Sequence, residues 1–171
     1  MRNQSADLAG RLQRLEDLEA IRRVKQEYAL AADDRHGFAV NVERTMQLFS
    51  KDAVWDGRPR FGRHEGRDAI RTYLSRGKAR IDWSLHYLID VSLVIDPDGR
   101  SARGRWYLFE TARMVSPATG DPELVWLAGT YDDEFVREQG VWRIGMLKFD
   151  CQKIVGPDGP WPDPPQGGAP A

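Results

Sequence analysis

Four stretches decide the fold: WSLHYLIDVSLVI (Trp83–Ile95), SARGRWYLFETARMV (Ser101–Val115), ELVWLAGTYDDEFVR (Glu123–Arg137) and VWRIGMLKFDCQKIV (Val141–Val155). Each is rich in β-branched and aromatic residues, and the turn-forming clusters Asp96-Pro-Asp-Gly99, Ser116-Pro-Ala-Thr-Gly-Asp-Pro122 and Glu138-Gln-Gly140 separate them. Links this short predict antiparallel neighbours, because a parallel return needs a crossover of about a dozen residues or more. Strands this long twist and curl, so the expected sheet is curved.

Working outward from these strands, the first half has a different period. Leu8, Leu12, Leu15, Leu18, Ile21, Val24 and Tyr28 recur every three or four positions, which predicts a long amphipathic helix ending near Ala32–Gly37. A second helix is expected over Phe38–Phe49, a short strand over Asp52–Asp56 and a third helix over Glu65–Arg76. Helices first and a meander second make an α+β domain. With 171 residues there is room for one such domain, read as residues 1–155. Residues 156–171 hold six of the ten prolines and read as a tail.

Composition excludes several classes of function. The formal charge of -1 provides no field to draw the chain onto nucleic acid or anionic lipid, so neither partner is expected. No apolar run has the length of a secretion signal or a membrane span, and the expected location is the cytoplasm. Cys151 is the single cysteine, which rules out an intrachain disulfide and a zinc site built on paired thiolates. No glycine-rich phosphate loop and no Gly-x-Ser-x-Gly elbow occurs.

Four motifs carry a resemblance. They are Leu18-Glu-Ala-Ile21 leading through Lys25 to Tyr28 and Asp33, Ser84-Leu-His86, Gly104-Arg-Trp-Tyr-Leu108, and Ala128-Gly-Thr-Tyr-Asp-Asp-Glu-Phe135 with Gly140-Val-Trp-Arg-Ile144. From about Leu12 to Ile154 the chain resembles the SnoaL-like branch of the NTF2-like superfamily, in the group around bile acid 7α-dehydratase and scytalone dehydratase. The resemblance implies a cone of curved antiparallel sheet covered by three N-terminal helices. It also implies a small-molecule substrate, a homotrimer, and proton-transfer chemistry with neither metal nor organic cofactor.

By the same resemblance Tyr28, Asp33 and His86 are the catalytic candidates. A buried Tyr28 hydroxyl is a fixed donor toward a carbonyl or enolate oxygen. His86 passes protons both ways near neutral pH, and a carboxylate on one ring nitrogen fixes the tautomer and raises basicity at the other. Five residues turn a helix by about 140°, so Tyr28 and Asp33 converge only if the helix ends or bends between them. Asp34 is the neighbouring candidate if that end shifts by one residue.

Trp106 and Trp126 are candidates for stacking on a substrate ring, and Asp34 and Lys148 for polar substrate contacts. Each of these residues also has an ordinary structural role open to it in core, helix end or surface. Where the bile acid dehydratase pattern has an arginine this chain has Cys151, with Lys148, Lys153 or Arg105 as possible substitutes. His36 and His64 are weaker candidates, and a mixed metal site from Asp33, His36, His86 and Glu65 is a remote alternative. The expected function is a lyase, by dehydration or retro-aldol cleavage, acting on an aromatic or polycyclic hydroxylated molecule. An isomerase using the same base and a non-catalytic binding subunit are the alternatives.

Overall fold

The computed structural model describes residues 4–33, 41–77, 80–116, 118–157 and 159. Asp34, His36, the start expected for the second helix and nearly all of the proline-rich tail lie outside the described residues. In chain order the elements are α1 (Gln4–Ala32), α2 (Val42–Leu48), β1 (Phe49–Asp56), β2 (Arg63–Glu65), α3 (Arg67–Gly77), β3 (Ile81–Ile95), β4 (Ser101–Val115), β5 (Pro122–Glu138) and β6 (Val141–Val155). This is a mixed α+β architecture built on a single six-stranded sheet in the order β2-β1-β6-β5-β4-β3.

Strands β3 to β6 form the expected antiparallel meander. The link between β5 and β6 is a tight turn in which Gln139 and Gly140 both have positive φ, the twist that suits a two-residue hairpin. Two features depart from the sequence reading. β1 begins at Phe49, earlier than expected, and runs parallel to β6, with the rest of the chain as its crossover; β2 adds an antiparallel edge to β1. A register shift at Ala128/Gly129 adds curvature, and there a Cβ on Gly129 would come within 2.4 Å of the Asp150 carbonyl oxygen.

Alternation along the strands sets the two faces of the sheet. On β4, Ala102, Gly104, Trp106, Leu108, Glu110 and Ala112 are buried, while the intervening residues are exposed or partly so. α1 lies across the buried face. Asp17 accepts from the indole nitrogen of Trp142 at 3.0 Å, and Arg22 pairs with Asp90 at 2.8 Å, tying the helix to both halves of the sheet. The first half of the leucine stripe does not join the core: residues 7–16 are all exposed, and burial begins at Asp17.

Candidate active site

α1 delivers Tyr28 to the core and stops at Ala32, so Asp33 is the first residue past the helix. Its amide still completes a helical hydrogen bond to the Ala29 carbonyl at 2.9 Å, while its side chain leaves the helical path. This helix end removes the 140° obstacle to convergence. Ser84 on β3 donates to the Ala32 carbonyl at 3.4 Å and holds that strand against the helix end.

Asp33 and His86 meet there. One carboxylate oxygen, Oδ1, accepts from the His86 backbone amide at 2.8 Å and from Nδ1 of its ring at 2.7 Å. A carboxylate only accepts, so Nδ1 carries the proton and Nε2 is the free basic nitrogen of the neutral ring. Nε2 faces Glu110 Oε2 at 3.6 Å. Glu110 stands directly opposite His86 in the β3–β4 register and is buried.

The electrostatics follow from burial. Desolvation pushes the Glu110 carboxyl up toward its protonated form, opposed by His86 and reinforced by Asp33. For His86, burial disfavours the charged ring, but Glu110 and Asp33 together outweigh it and raise its pKa above the ordinary value of 6.5. The Tyr28 hydroxyl accepts from the Trp55 indole nitrogen at 3.2 Å, and the Tyr131 hydroxyl is a second hydrogen-bonding neighbour. Burial drives the Tyr28 pKa upward, so the phenol is a donor near neutral pH.

Tyr28, Ser84, His86 and Glu110 all line one cavity of about 120 Å³. Its remaining walls are largely aromatic, with Trp55, Phe61, Tyr73, Tyr131 and Phe149 among them. Asp33 stands behind His86, outside the lining.

Trp106, Trp126 and Lys148 are not brought to this cavity. Trp106 is on the buried face but packs deeper, edge-on to Phe135, with Gly104 leaving room for its ring. Trp126 lies opposite Thr111 on the other face, one residue out of phase with cavity-lining Leu127. Lys148 is exposed between inward Leu147 and Phe149. Strand parity excludes the last two. Cys151 is partly buried against the core, with burial raising its thiol pKa. His64 stacks on Tyr73 at 4.1 Å and bonds the Phe61 carbonyl at 3.0 Å, and Glu65 is exposed. Among the described residues no three of His, Cys, Asp and Glu are grouped to hold a metal ion.

Glu110 was not among the sequence candidates. Its signal was there in the β4 alternation, where a carboxylate falls on the apolar phase.

The SnoaL-like domain model matches residues 13–148. Among solved structures, the chain is similar to a hexachlorocyclohexane dehydrochlorinase (LinA) type 2, at 18% identity over 91% of this chain and 98% of that one, TM-score 0.74. A putative scytalone dehydratase from Novosphingobium aromaticivorans is similar at 20% identity, covering 91% and 97%, TM-score 0.70. So is an NTF2-like protein with a cystatin-like fold from the same organism, at 23% identity, covering 89% and 92%, TM-score 0.64. At these identities the likeness shows the fold. A comparison with curated proteins finds no significant match. With the family model spanning most of its length and NTF2-like structures sharing its fold, the chain belongs to the SnoaL-like family.

Proposed function

We propose that the protein is a cofactor-independent lyase acting on a hydrophobic, hydroxylated aromatic or polycyclic small molecule. The observation that carries this reading is the Asp33–His86–Glu110 chain opening into an aromatic cavity beside Tyr28. His86 Nε2 takes a proton from a carbon next to an electron-withdrawing group, while Tyr28 donates to the oxygen on which charge develops. The C–H electron pair becomes the new C=C bond, the C–O bond breaks, and protonated Glu110 gives its proton to the departing hydroxyl, which leaves as water. The proton on Nε2 then faces the Glu110 carboxylate at 3.6 Å and returns to it, so the cycle closes without an outside acid. Names among the structural neighbours, a dehydrochlorinase and a putative scytalone dehydratase, are those of elimination enzymes and agree with this reading.

The same base deprotonating a hydroxyl starts a retro-aldol cleavage instead, and returning its proton to another carbon gives isomerisation. Incubation with a hydroxylated-aromatic library followed by mass spectrometry separates these outcomes as loss of water, loss of an aldehyde fragment, or no change in mass. Tyr28→Phe and His86→Ala are each expected to slow turnover roughly 10²-fold or more. Full activity in either variant contradicts the assignment.

A homotrimer is part of the proposal. Tyr87, Ile89 and Tyr107, each half-exposed or more, place apolar surface on the outer face of the sheet, where a second copy of this chain would cover it.

A further inference from the structure

Phe61 and Met114, two walls of the aromatic cavity, also line a second, larger groove. Its floor is apolar, formed by Val115, Val125, Ile154 and Val155, and Arg60 and Arg80 stand on its rim. These two arginines approach from different elements, Arg60 from the turn after β1 and Arg80 from the turn before β3. Both are exposed, and among the described residues neither guanidinium has an ion-pair partner. That sets them apart from Arg58, Arg63, Arg71 and Arg105, each of which is bound to a carboxylate.

The fields of both reach inward. Burial raises the pKa of both Cys151 and Tyr73, and Arg60 opposes that rise at the first and Arg80 at the second. Glu123 is the acid that lines the groove, leaving two cations against one carboxylate. An apolar floor with unpaired guanidinium groups at its edge fits a short hydrocarbon tether ending in an anion.

We propose that this groove is a second subsite, in which Arg60 and Arg80 hold a carboxylate carried on a flexible arm of the ring molecule lodged in the aromatic cavity. The proposal rests on the aromatic-ligand reading of that cavity and narrows its substrate to an amphipathic hydroxylated acid. Phe61 and Met114 line both the cavity of the ring and the groove of the arm.

The test uses a series of 2-naphthols bearing a carboxylate on an arm of no, two or four methylenes. The matching carboxamides and 2-naphthol itself are the controls, and binding to the full chain is measured by calorimetry. For at least one arm length the carboxylate is expected to bind about three- to tenfold tighter than its carboxamide, the gain of one or two exposed ion pairs. That gain should disappear in about 0.5 M salt and in the doubly substituted Arg60→Gln/Arg80→Gln protein. Binding of 2-naphthol should be unchanged by these substitutions, which also reports that the variant is folded. Carboxylates no tighter than their carboxamides at every arm length, or a gain that survives the double substitution, overturn the subsite alone. Failure of every member, 2-naphthol included, to bind overturns both the subsite and the aromatic-ligand reading beneath it.

Discussion

His86 sits between two carboxyl groups whose effects on it add. Asp33 fixes Nδ1 as the protonated nitrogen and Glu110 faces Nε2, so both favour the imidazolium against the desolvation that opposes it. A raised folded-state pKa means that His86 stabilises the protein below its unfolded value and that this contribution fades as pH rises through the folded one. As a base the ring must be neutral, so proton abstraction should increase as pH rises through the raised His86 pKa, whereas loss of water should fall again once Glu110 has given up its proton. Nitrogen-15 NMR of the histidine rings checks this without a substrate. His86 is expected to titrate above 6.5, and Glu110→Gln should move that titration downward by removing the carboxylate facing Nε2. An unmoved titration in the variant contradicts the coupling. The meeting of Asp33 with His86, and of His86 with Tyr28 on one cavity, was legible from their motifs. The inward phase of Glu110 on β4 was legible too, but its pairing with His86 was not, because that is set by a register between strands that no local spacing encodes.

At the level of elements, the bounds of the four long strands were readable to within a residue or two, because hydrophobic runs ended at turn residues with their own backbone demands. The parallel pairing of β1 with β6 was not readable, since no local spacing marks a contact between segments with the rest of the sheet between them in the sequence. Face parity was legible in principle, and it is what separates Leu127 from Trp126 and Leu147 from Lys148. The deepest tie between helix and sheet is the fully buried pair of Lys25 on α1 and Asp133 on β5, 2.7 Å apart, with the ammonium 3.3 Å over the Tyr131 ring. Removing one partner strands a charge away from water, whereas removing both does not. Lys25→Met is expected to lose about 3–5 kcal/mol in urea denaturation, and Lys25→Met with Asp133→Leu to recover much of it. A double variant as unstable as the single one contradicts this account.

Viewed whole, the chain spends its inward-facing aromatic residues on walling a hollow, and exposes others on the outside of the same sheet. Tyr87, Ile89 and Tyr107 on that outside are far from His86 in role, although they share strands with its site. In sedimentation the protein should show three times its 19.5 kDa mass. Ile89→Glu with Tyr107→Glu should reduce this to a single chain, while a trimer that survives both substitutions places the contact elsewhere.

The account stands or falls on whether the hollow contains a working base and donor. Deuterium uptake by 1-tetralone in heavy water measures this directly, because exchange beside its carbonyl needs a base and an oxyanion donor but no leaving group. The protein is predicted to accelerate exchange at that carbon, with His86→Ala and Tyr28→Phe each lowering the rate roughly 10²-fold. Exchange no faster than in buffer alone, or undiminished in both variants, would contradict the claim that these residues form an acid-base site.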